Sequence, residues 1–135
     1  MKNNRIASAV AALCAGAVLL LAAPALADEA AKVSSKEGVG SFLVDGKGMT
    51  LYVFKKDAPG QSACQGDCVT RWPIYLNDGG APDGLKGEDL GTITRADGKK
   101  QSTYKGMPLY TFAADAAPGD VKGQGMKDVW FVAAP

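Results

Sequence analysis

The sequence predicts an all-β protein, a small antiparallel sandwich or barrel built from two fused repeats. Three observations carry that reading: short β-branched and aromatic runs of period two, Asp-Gly turns beside them, and a self-similarity that sets Gly48 on Gly106. In that register Gly48-Met49-Thr50-Leu51-Tyr52-Val53-Phe54-Lys55-Lys56-Asp57 lies on Gly106-Met107-Pro108-Leu109-Tyr110-Thr111-Phe112-Ala113-Ala114-Asp115, keeping Gly, Met, Leu, Tyr, Phe and Asp. It also carries Trp72 onto Trp130 without a gap, and Cys68 onto Met126.

In chain order, Lys2 and Arg5 precede an apolar run from Ile6 to Leu21 and the small-residue stretch Pro24-Ala25-Leu26-Ala27. This is the pattern of a secretory signal peptide over 1–27, cut after Ala27. The polar, alanine-rich segment 28–37 next to the new terminus is expected to be a disordered leader. From 38 to 135 a single β domain follows, with repeats at about 38–76 and 92–135. One repeat of roughly 50 residues buries too little surface to stand alone, so the two should share a core.

Within the first repeat, Phe42-Leu43-Val44 runs into an Asp45-Gly46 turn and reads as a hairpin. Leu51 and Val53 then face one side of a strand while Tyr52 and Phe54 face the other. A further strand is expected over Trp72 to Leu76, with Pro73 at its start or on an edge because proline donates no amide hydrogen. The turn-rich stretch 77–84 separates the halves. Thr92 to Lys99, with Asp97-Gly98, gives the second hairpin, Leu109 to Phe112 the second copy of the strand, and Val129 to Ala133 the last one. No amphipathic helix is evident after Ala27.

Composition excludes several function classes. The chain has no histidine, which removes most acid–base, zinc and haem chemistry. Loss of the signal takes Lys2 and Arg5 from 15 basic residues, leaving 13 against 14 acidic, too even a balance to steer nucleic acid. Cys14 leaves with the signal, and the remaining pair, Cys64 and Cys68, is expected to form a disulfide in an exported protein. Its C-x-x-x-C spacing is not that of a redox dithiol.

The motifs Tyr52-x-Phe54-x-x-Asp57 and Tyr110-x-Phe112-x-x-Asp115, with Cys64-x-Gly66-x-Cys68-x-x-x-Trp72-Pro73 and Pro118-Gly119-Asp120-Val121, resemble the bacterial secreted-repeat family of predicted lipoproteins carrying Y-x-[FWY]-x-x-D. The resemblance spans the chain from about Gly38 onward and implies export and a β-rich repeat fold. It brings a loose association with alkane catabolism but no defined activity. Leu13 precedes Cys14 where a lipid acceptor needs a small residue, so lipid anchoring is not expected.

The repeat-motif residues Tyr52, Phe54, Asp57, Trp72, Tyr110, Phe112, Asp115 and Trp130 are expected to be structural: rings packed in the shared core, and acids accepting turn amides and tyrosine hydroxyls. An exposed aromatic platform is the competing reading of the rings, and a calcium site of Asp57, Asp67, Asp115 and Asp120 that of the acids. Met49, Met107 and Met126, with the cysteines, make a soft-metal (copper) or redox role the main alternative function. The expected function is an exported periplasmic or envelope module, non-catalytic, binding or structural. No catalytic residue and no cofactor are expected; the partner is an unidentified envelope ligand or protein, with no nucleic acid, no membrane span after signal cleavage, and a monomeric state.

Overall fold

The structure is a computed structural model that describes residues 30–77 and 84–135. The expected signal peptide and the centre of the expected loop lie outside the described residues. The chain is all-β, with strands β1 (Lys32–Lys36), β2 (Gly40–Val44), β3 (Tyr52–Phe54), β4 (Leu90–Thr94), β5 (Lys100–Tyr104), β6 (Met107–Pro108) and β7 (Trp130–Val132). Among the described residues one short helix, α1 (Asp67–Arg71), and a 3-10 turn at Gly87–Asp89 accompany the strands. No helix among the described residues is long and apolar enough to cross a membrane.

Every sheet is antiparallel: β1 pairs with β2, β3 with β7, and β5 lies between β4 and β6 and pairs with both. Both Asp-Gly hairpin signals are realised: Asp45 N–H donates to the Met49 carbonyl with Val44 bridged to Thr50, and Arg95 N–H donates to the Lys99 carbonyl beyond β4, the acid taking a different place in each turn. Asp97 lies in the turn joining β4 to β5, where its Oδ1 accepts the Lys99 amide at 2.9 Å. Asp45 instead turns the chain out of β2, its Oδ1 accepting the amides of Lys47 at 2.8 Å and Met49 at 2.9 Å.

At the centre, Tyr52 and Tyr110 exchange backbone hydrogen bonds, amide to carbonyl, at 2.7 and 3.0 Å. Around this pair the repeats trade their last segments. Trp130–Val132 of the second repeat adds to β3 of the first, with Lys55 N–H donating to Val129 and Ala133 N–H to Leu51. In mirror fashion the 71–75 segment of the first repeat adds to 109–113 of the second: Thr111 N–H donates to Pro73, Ala113 N–H to Arg71 and Tyr75 N–H to Leu109. Neither half therefore completes the pairing around its own motif tyrosine.

The two faces of this central sheet bury separate layers. Leu51, Leu109, Leu43, Tyr75 and Ala133 pack together on one side with Val53 against them. Tyr52, Tyr110, Trp72 and Trp130 pack on the other, with Phe54 and Phe112 at their flanks. The period-two alternation in 51–54 thus maps onto two cores rather than a core and a wet face.

Two sequence expectations are corrected. Within 28–37, residues Lys32–Lys36 form β1 rather than a disordered leader, laddered with β2 from Lys32·Val44 to Lys36·Gly40. Its side chains are mostly exposed, so hydrophobic pattern gives no sign of it; yet Lys32 precedes Leu90 by the same offset that separates Tyr52 from Tyr110, so β1 and β4 are copies of one strand. Trp72 to Leu76 forms a single bridge, Ile74 with Tyr110, not a full strand; Pro73 has no amide to extend the ladder. Residues 67–71 make one helical turn, with Trp72 N–H bonded to the Cys68 carbonyl at 2.8 Å, too short to show periodicity.

Candidate functional site

The motif tyrosines and acids meet across the repeats. Tyr52 Oη donates to Asp115 Oδ2 at 2.7 Å, and Tyr110 Oη donates to Asp57 Oδ2 at 2.7 Å. Each acid uses its other oxygen on the turn that follows it: Asp57 Oδ1 accepts the Ala63 amide at 2.6 Å, and Asp115 Oδ1 accepts the Lys122 amide at 3.0 Å. Burial raises the carboxyl pKa of both acids above the usual range, against the pull of these donors. Burial also raises both phenols, with the facing carboxylates adding to the effect, and Tyr110 is pushed up to about 12.

Sequence reasoning did not find the polar residues that complete the Tyr110 side. Ser62 Oγ lies 2.6 Å from Tyr110 Oη. Buried Arg95 donates to Ser62 Oγ at 2.8 Å, to Gln101 Oε1 at 2.6 Å and to the Cys64 carbonyl. Arg95 also forms an ion pair with Asp97 at 3.5 Å. On the Tyr52 side the Gly123 amide donates to Tyr52 Oη at 3.1 Å, and Gly123 lies so close that a Cβ there would stand 2.6 Å from the Trp72 ring.

The remaining motif rings form one column. Phe112 stacks on Trp72 with centroids 4.1 Å apart, Trp72 on Trp130 at 3.7 Å, and Trp130 on Phe54 at 4.2 Å, all within 18° of parallel. Members from the two repeats mix along it: Phe112 with Trp72, then Trp130 with Phe54. Tyr52 and Tyr110 meet the column edge-on, at 5.3 Å from Trp72 and 5.1 Å from Trp130. The tryptophans are 5% and 4% exposed, so they pack as core and offer only their rims to solvent.

Those rims line a cleft of about 480 Å³. The half-buried Phe54 and Phe112 contribute to it, together with Cys68, Met126 and Val129. Its charged lining is Lys56, Arg71 and Lys127 with one acid, Asp67. Lys127 and its neighbour Asp128 have φ of 53° and 61°, the left-handed region that long side chains rarely occupy.

The predicted sulfur set is dispersed. Cys64 and Cys68 are joined as a disulfide, Cα atoms 5.3 Å apart. Met49 lies in the turn after β2, Met107 opens β6, and Met126 packs with the aromatic cluster. Among the described residues no group of three or more Cys, Asp or Glu side chains is arranged to hold a metal ion. Asp120 spends its Oδ2 on the amides of Ala116 and Ala117, four and three residues before it.

A family model described as a secreted repeat of unknown function matches residues 33–75 and again 91–134. The chain belongs to this secreted-repeat family. The two matches start at 33 and 91, the register that sets Tyr52 on Tyr110, and take in most of β1 and β4, so each match covers one of the halves described above. The reciprocal Tyr–Asp bonds and the mixed ring column are what the secreted repeat's duplicated motif builds here. No curated protein matches the chain, and no solved structure does.

Proposed function

We propose that this secreted repeat protein is a non-catalytic binding module of the periplasm or envelope, and that the cleft above the Trp72–Trp130 pair is its ligand site. The observation that carries the reading is the combination of size and lining: about 480 Å³, within the range of small-molecule sites, floored by indole rims and edged by cations. The floor is rigid, because its rings are stacked on both sides and pinned edge-on by tyrosines bonded to buried acids. Rigid aromatic floors lose little entropy when a ligand lands.

Support for a non-catalytic role comes from the same lining. Asp67 is the one acid in it, so the paired carboxylates of a glycosidase are not assembled there. A soft-metal role draws less support, since the disulfide holds the cysteine sulfurs and only Met126 of the three methionines lines the cleft. A role in alkane catabolism rests on family resemblance alone and gains nothing from the cleft's cations.

The test is titration of the protein with a panel of small aromatic and aliphatic compounds, followed by tryptophan fluorescence and by amide chemical shifts. Binding at the cleft should quench Trp72 and Trp130 and move the amides of Cys68, Met126 and Val129. Compounds that bind and move amides only elsewhere would overturn the assignment.

A further inference from the structure

The two copies of the repeat keep their buried scaffold and part company at the cleft. Tyr52, Phe54, Asp57 and Trp72 each recur unchanged in the second copy, as Tyr110, Phe112, Asp115 and Trp130, and all eight are in the core or its flanks. The cleft positions differ: Arg71 is matched by Val129, Cys68 by Met126 and Lys56 by Ala114. A scaffold with nearly equivalent halves thus carries an unequal cleft: the first repeat lines it with Lys56, Asp67 and Arg71, the second with Met126, Lys127 and Val129.

The cations there are available. Among the described residues the two ion pairs are Arg95–Asp97 and Lys122–Asp120, and neither involves Lys56, Arg71 or Lys127. Asp67 offsets one of the three charges, leaving the cleft positive in a chain whose overall charge is close to balance. Lys127 is also held at a positive φ that glycine would adopt without steric cost, so a long cation stands at the cleft against the local backbone preference.

Resting on the reading of the cleft as the ligand site, we infer that its ligand is a small amphipathic carboxylate bound in one orientation. The carboxylate faces Arg71 and Lys56, and a flat apolar body lies over the indole rims toward Met126 and Val129. A guanidinium fork matches a carboxylate in geometry and charge. Thioether and indole surfaces suit a flat hydrocarbon body. A cationic ligand would meet three cations, and a polar dianion would leave the Met126–Val129 side without a partner.

The experiment compares three probes that share one body, 2-naphthoate, 2-naphthalenemethanol and 2-naphthylmethylammonium, by calorimetry with amide shifts read in parallel. The carboxylate should bind about tenfold more tightly than the alcohol, as one charge-assisted contact implies, and the ammonium most weakly. Arg71→Gln should reduce the preference for carboxylate, the double variant Lys56→Gln with Arg71→Gln should abolish it, and both should leave the alcohol's affinity unchanged. Met126→Ala should weaken carboxylate and alcohol alike. Equal affinity of carboxylate and alcohol at the cleft, or tightest binding of the ammonium there, would overturn this inference while leaving the binding-module reading in place. Failure of all three to shift any cleft amide would overturn both.

Discussion

The Tyr52 hydroxyl lies 2.7 Å from Asp115 Oδ2, a bond that joins residues 63 apart in sequence and crosses from one repeat into the other. Its counterpart, Tyr110 to Asp57, runs the opposite way at the same length. A motif that looks local, Tyr-x-Phe-x-x-Asp, is therefore satisfied only in trans between copies. Tyr52→Phe should strand the second oxygen of buried Asp115 and the Gly123 amide, costing about 2–3 kcal/mol. Urea unfolding of the variant against the parent measures it, and a loss below about 0.5 kcal/mol, the size of an ordinary surface change, would contradict the account.

The buried acids set a pH dependence with a definite sign. Burial raises the Asp57 carboxyl above its unfolded value, so the folded protein holds a proton that the unfolded chain has released. Its contribution to stability is then complete below the unfolded value of about 4 and is lost as pH rises through the folded pKa. The stability margin of the parent over Asp57→Asn should narrow as pH rises from about 4 through the folded pKa. Paired urea titrations at several pH values test this; a margin that widens reverses the sign.

At the alkaline end the tyrosines act in the same direction. Tyr110 is pushed up to about 12, chiefly by burial, and Tyr52 further. Their contribution is intact below the unfolded value of about 10 and is lost as pH rises through the folded values. Absorbance titration of phenolate should show Tyr110→Phe losing a step near 12. Loss of a step near 10 instead, the unperturbed phenol value, would mean that Tyr110 is not buried against Asp57.

Gly123 is present for space. A methyl group there would stand 2.6 Å from the Trp72 ring and 2.9 Å from the Tyr52 ring. Gly123→Ala should cost about 1–3 kcal/mol by overpacking, read as a lower unfolding midpoint with an altered near-ultraviolet tryptophan spectrum. Unchanged stability would place the 121–125 loop farther from the column.

How far the sequence reached can be traced residue by residue. The alternation of Leu51-Tyr52-Val53-Phe54 shows which rings share a face, and the spacing of Cys64 and Cys68 shows a bridge that the structure forms. The strand Lys32–Lys36 escaped because Lys-Val-Ser-Ser-Lys has no apolar stripe; only its standing one repeat ahead of Leu90–Thr94 marks it. The Ser62–Arg95–Gln101 cluster escaped because burial of an arginine is a tertiary event, decided by the carbonyl and hydroxyl that meet it. The cleft escaped for a similar reason: Arg71 and Met126 become neighbours of one space only when the repeats trade their final segments. Comparing the copies for where they differ, rather than where they agree, was the available signal.

The trade of final segments is the central claim, and separating the halves tests it most directly. Residues 30–77 and 84–135, produced as two chains, should each lack near-ultraviolet tryptophan ellipticity and cooperative unfolding, and should regain both when mixed one to one. Cooperative unfolding of either chain alone, with its tryptophan ordered, would contradict the account.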